Sequence, residues 1–139
     1  MSGTRIIHDI RLRIPFQDLD PMQVVWHGNY LKYFDMARFG LFREAGVDLY
    51  RYSLKHDIIF PVTKTATKYI VPLRYDDEIV CRAILAEASV KIAIDFEIRR
   101  AADDLLCTRG RGEQVAVKMP EMEMQFEIPL DIRRALGTA

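Results

Sequence analysis

The sequence predicts an α+β fold, with an antiparallel five-stranded sheet wrapped around one long helix. Three observations predict it. One long segment has apolar residues at helical spacing over most of its surface. Several segments alternate or run apolar at strand length. The order is strand, loop, helix, then four strands, without the regular strand–helix alternation of a doubly wound parallel sheet.

Residues 5 to 15 form the first strand: Ile10, Leu12 and Ile14 point one way and Arg11 and Arg13 the other. The stretch QDLDPMQVVWHGN has no steady period, and Asp18, Asp20, Pro21, Gly28 and Asn29 mark it as loop and turn. The helix follows. Tyr30, Tyr33, Phe34, Ala37, Leu41 and Ala45 line one face, and Leu31, Met36 and Phe42 widen it. Lys32, Asp35, Arg38, Arg43 and Glu44 leave only a narrow wet stripe. Asn29 is the expected N-cap and Gly46 the expected stop.

Residues 47 to 56 read equally as irregular chain or as a short second helix. Strands follow at 62 to 71, at Ile79 to Ala88 and at Val90 to Arg99, where Ile92, Ile94, Phe96 and Ile98 alternate strictly. Turns fall at Tyr75 to Glu78 and Ala101 to Asp104. Leu105 to Met119 reads as one long last strand, bent at Gly110 or Gly112. Leu130 to Leu136, after Pro129, has the length of a short C-terminal helix. One helix on one sheet leaves surfaces and edges that a second copy would cover, so a homodimer is expected.

Composition narrows the function. The chain has 139 residues, half of them apolar, enough for one domain with a real core over residues 1–139. Lys plus Arg number 20 and so do Asp plus Glu. That balance argues against nucleic-acid binding by phosphate neutralisation and against a polybasic membrane contact. No apolar run is long enough to span a bilayer, and the N-terminus shows no signal-peptide pattern. The expected setting is the cytoplasm. Cys81 and Cys107 match no metal spacing and read as buried, reduced thiols. Ser2, Ser53 and Ser89 lie in no nucleophile elbow, and His8 and His56 are isolated. No metal motif and no phosphate loop is present, so no cofactor is expected.

The segment DLDPMQVVWHGNYLKYFDMARFGLFREAG, from Asp18 to Gly46, resembles the signature of the 4-hydroxybenzoyl-CoA thioesterase family of hot-dog proteins. Lys68, Tyr69, Pro72 and Asp76-Asp77-Glu78 fit its second block, and Arg99-Arg100 with the turn after them fit its tail. The resemblance covers about residues 8 to 132. It implies a hot-dog fold and hydrolysis of an acyl-CoA or an acyl-carrier-protein thioester. It implies that the site lies at a dimer interface and that dimers often pair into tetramers. A non-catalytic acyl-binding dimer is the alternative.

The resemblance makes Asp20 the catalytic carboxylate, as general base or nucleophile. It places the backbone amide of His27, at the helix start, near the thioester oxygen, and gives the His27 ring a supporting catalytic role. Asp18 reads as structural. Trp26 and Tyr30 are candidates for lining the acyl or pantetheine channel. Arg74, Lys91, Arg109, Arg111 and Lys118 are the basic candidates for the carrier's phosphates. Arg109 and Arg111 lead, because residues two apart share a strand face. One departure stands out. Many members carry glycine two or three residues after the second Asp, where this chain has Met22-Gln23.

Overall fold

A computed structural model describes residues 6–139. Ser2 and Arg5, the latter the first residue of the expected first strand, lie outside the described residues, as does the first half of the segment read for a signal peptide. Strand β1 (Ile7–Arg13) is followed by a 3-10 turn at Phe16–Asp18 and by helix α1 (Asn29–Glu44). Helix α2 (Leu49–His56) settles the ambiguous segment. The Asp48 carboxylate caps it by accepting the Arg51 N–H at 3.0 Å. Then come β2 (Ile58–Ile59), β3 (Val62–Tyr69), β4 (Glu78–Ala88), β5 (Ile92–Arg100), β6 (Leu105–Gln114), β7 (Val117–Lys118), β8 (Glu123–Met124) and α3 (Leu130–Ala135).

The main sheet has five antiparallel strands in the order β1-β4-β5-β6-β3. Tyr30, Tyr33, Phe34, Ala37 and Leu41 are the buried stripe that the helical spacing predicts. Phe34 stacks on Phe96 of β5, with ring centres 4.6 Å apart. A Cβ at Gly110 of β6 would lie 2.5 Å from the Phe34 ring, so glycine there lets helix and sheet approach. Central strand β5 is buried at Ile92, Ala93, Ile94, Phe96 and Ile98. Cys81 and Cys107 are buried and free, as expected, and burial pushes the Cys81 thiol up to about 12.

Five expectations need correction. The last strand does not run to Met119, nor does it bend at a glycine. Gln114 is the last residue of β6 to be paired, with Val62 on one side and Ile92 on the other. Beyond it no main-sheet neighbour remains. The chain turns and pairs Val117–Lys118 with β2 and β8 in a small second sheet. Gly110 and Gly112 sit inside the regular ladder.

Asn29 is not the N-cap of α1; Gly28 is. The Asn29 amide is drawn back instead, donating to the Asp18 carbonyl at 2.9 Å. The expected stop at Gly46 holds, with φ of 82°.

Leu31 and Met36 do not extend the buried face. They stay exposed with Phe39, because the sheet reaches only one side of the helix. Arg38, read as part of the wet stripe, is largely covered and pairs with Asp35 at 2.7 Å.

Candidate active site

The apparently irregular stretch between β1 and α1 is a tight hairpin over residues 18–26. Leu19 bridges Val25 in antiparallel fashion. The Asp20 N–H donates to the Val24 carbonyl and the Gln23 N–H to the Asp20 carbonyl, each at 2.9 Å. The Asp20 carboxylate accepts the Met22 N–H at 2.8 Å through Oδ1. That bond fixes one oxygen in a turn after Asp20-Pro21. Oδ2 has no partner among the described residues.

Asp20 lines a cleft of about 760 Å³ with Phe16, Gln17, Leu19, Pro21, Gln23, Arg74 and Tyr75. Phe16 and Tyr75 meet edge to face with centres 6.4 Å apart, yet are 75% and 60% exposed. The two exposed aromatics give the cleft beside the carboxylate an apolar wall. The far wall is tied to the hairpin, since the Val25 N–H donates to the Leu73 carbonyl at 2.9 Å. Arg74 brings the cation of the cleft, and it has no acidic partner among the described residues.

Asp18 lies at the base of the hairpin and is 5% exposed. Its carboxylate accepts Lys32 Nζ at 2.8 Å and the Tyr33 hydroxyl at 2.7 Å. Burial alone would raise its pKa. The Lys32 and Tyr33 hydrogen bonds and the Lys32 charge outweigh burial and hold it below the usual carboxylate value. Burial and Asp18 together push the Tyr33 phenol well up, so it stays a donor.

His27 is exposed in the turn before α1, and it does not line the Asp20 cleft. Its ring lies 5.3 Å from Trp26 and 6.5 Å from Tyr69. Among the described residues, neither the His27 nor the Gly28 N–H has a backbone acceptor. They are the open donors that a helix start leaves. Trp26 folds over Gly28, where a Cβ would meet its ring at 2.3 Å. Tyr30 is buried against Tyr33 and Tyr69, its hydroxyl accepting the Leu73 N–H at 3.4 Å. In the single chain it is a buried core residue.

Arg109 and Arg111 do share a face. Gly110 between them points at α1, so both project from the opposite side of the sheet. Arg111 is occupied by Asp95 at 3.1 Å and Glu113 at 3.2 Å, while Arg109 has no ion pair among the described residues. Lys91 pairs with Glu113, and Lys118 donates to the His56 carbonyl. His8 and His56 are hydrogen-bonded or stacked: His8 pairs with Glu44, and the His56 ring lies 4.3 Å from Tyr52. The geometry thus joins Asp20 with Arg74 but sets Arg109 and Arg111 apart. The sequence reading passed over Phe16 and Tyr75. The signal was there: each is an aromatic beside turn residues, with no periodic segment to bury it.

An antiparallel five-stranded sheet around one long helix defines the hot-dog class of proteins. A family model described as the thioesterase-like superfamily matches residues 14–136, and the chain belongs to that superfamily.

Solved structures share the fold. A 1,4-dihydroxy-2-naphthoyl-CoA thioesterase from Synechocystis aligns with a TM-score of 0.84 at 18% identity, over 94% of this chain and 96% of the other. A DHNA-CoA thioesterase from Staphylococcus aureus aligns at 0.85 and 22%, over 94% and 89%. A 4-hydroxybenzoyl-CoA thioesterase from a Pseudomonas strain aligns at 0.84 and 22%, over 95% and 99%. No curated protein sequence matches the chain.

Proposed function

We propose that the chain works as a single hot-dog domain that hydrolyses an acyl-CoA to the free carboxylic acid and CoA, with Asp20 as the catalytic carboxylate. The observation that carries this reading is the place of Asp20. It lines an open, partly apolar cleft on a hairpin that leads to the His27–Gly28 turn ahead of α1, whose two amides have no backbone acceptor among the described residues. Asp20 takes a proton from water as the water oxygen attacks the thioester carbon, or it attacks that carbon itself to give an acyl–Asp20 anhydride that water then hydrolyses. The His27 and Gly28 N–H groups hold the developing oxyanion, helped by the helix dipole. The carbon–sulfur bond then breaks and the thiolate of CoA leaves. Arg74 is placed to meet the carrier's phosphates, and Trp26 and Arg109 are further contacts to test.

The functional unit in this reading is a cytoplasmic homodimer, or a tetramer of two dimers. Support comes from the exposed edge of β3 and from Leu31, Met36 and Phe39 left bare on α1. The aromatic acyl groups named by the structural relatives are the first substrates to try; the acyl-carrier-protein form comes second.

The test is thiol release from short, long and aromatic acyl-CoAs by wild type and Asp20→Asn side by side. Loss of about a hundredfold or more in the variant is expected. Wild-type turnover by Asp20→Asn ends the assignment. Single turnover in ¹⁸O water tests the nucleophilic route, because label found in Asp20 requires an acyl–Asp20 anhydride opened at the Asp20 carbon, and a general base acquires none.

A further inference from the structure

We infer that Asp18 is the positioning residue of this site, holding the hairpin that carries Asp20 at a fixed distance from the start of α1. The inference rests on the catalytic reading of Asp20. Asp18 faces two ways. Its carboxylate oxygens engage Lys32 and Tyr33, both in the first turns of α1. Its backbone carbonyl accepts the Trp26 N–H at 3.0 Å and the Asn29 side-chain amide at 2.9 Å. One residue therefore ties together the outgoing arm of the hairpin, the returning arm and the helix.

A buried carboxylate is a costly spacer, and an apolar side chain would fill the same volume more cheaply. What the carboxylate adds is direction. Two donors on separate oxygens fix both the position and the rotation of the group. Two residues on, Asp20 inherits that placement through the Leu19–Val25 bridge and the Val24 carbonyl. Lys32 is half exposed, so the Tyr33 bond is the stiffer of the two.

The test measures kcat and KM for Asp18→Asn, Tyr33→Phe and Lys32→Met, each with Asp20 intact and in the Asp20→Asn background. With Asp20 intact, Tyr33→Phe and Asp18→Asn lower kcat about tenfold or more while KM stays within about twofold. Lys32→Met has a smaller effect. In the Asp20→Asn background the same changes cost little further, since no base remains to be placed. Equal losses in both backgrounds, or a loss confined to KM, overturn the inference. Should Asp18→Asn not fold, Tyr33→Phe and Lys32→Met carry the test. Independently of turnover, the Trp26 amide exchanges faster with solvent in Tyr33→Phe, and unchanged exchange counts against the strap. An inactive Asp20→Asn beside fully active Tyr33→Phe and Asp18→Asn sinks this inference alone. An active Asp20→Asn sinks the reading beneath it.

Discussion

The Tyr69 hydroxyl donates to the backbone carbonyl of His27 at 3.0 Å. Tyr69 ends β3, the edge strand, and its ring lies edge-on to Tyr30 at 4.9 Å. The rim of the sheet is thereby fastened to the turn that opens α1. Tyr69→Phe keeps the ring and removes this bond. It is expected to lose about 1 kcal/mol of stability and several-fold in kcat. Thermal melts and steady-state kinetics on the same samples check both.

Asp18 gives a pH dependence of known sign. Its folded pKa lies below the unfolded value, so it contributes stability that is fully present above that unfolded value and is lost as pH falls through the folded one. Acid should therefore destabilise the wild type below about pH 4. Asp18→Asn starts less stable at neutral pH, and its stability falls less steeply in that window. Urea melts at pH 7, 4 and 3 decide it, and parallel curves for the two proteins would refute the assignment.

Gln23 occupies a left-handed conformation, with φ of 65°, inside the Asp20 turn. Among the described residues, the other non-glycine residues with positive φ are three aspartates and Met122. Aspartate tolerates that region, and glutamine does not share its short side chain. This is where relatives of the resembling family often have glycine. Gln23→Gly is expected to raise stability by up to about 1 kcal/mol. A lower melting temperature would count against strain at this position.

His27→Ala should cost less activity than Asp20→Asn, because the backbone amide survives the change. Rates for the two variants on one acyl-CoA settle the order. A larger loss at His27 would move the main chemical role to the imidazole.

Met36 is exposed on α1 in the single chain. Met36→Glu should leave the fold intact and shift the mass in solution toward the monomer. Light scattering on an eluting sample reads this directly. An unchanged oligomer would place the interface elsewhere.

Much of the fold was legible because periodicity reports burial. The stripe from Tyr30 to Leu41 and the alternation from Ile92 to Ile98 each name a face, and both faces are buried as read. The end of β6 was not legible, because Val115 to Lys118 has strand composition whichever neighbour it finds. Only the register at Gln114 shows that the main-sheet partners have run out. The carboxylate pair was visible from spacing, while the reading of Asp20 as catalytic and Asp18 as structural leaned on the family resemblance rather than on spacing. Asp18 and Asp20 are two apart in one loop, and burial against Lys32 and Tyr33 separates them. Asn29 misled for a related reason. Its amide found a better partner in the Asp18 carbonyl than at the helix end.

The gap at Gly110 has a mechanical consequence. Phe34 fills the space where a side chain would stand, near the N-terminal end of a helix 16 residues long. At its other end, Glu44 is pinned to His8 of β1. A rod of roughly 24 Å is thereby seated in the sheet near one end and ion-paired at the other. How closely the start of the helix, with the His27–Gly28 turn ahead of it, approaches the sheet depends on a residue that has no side chain.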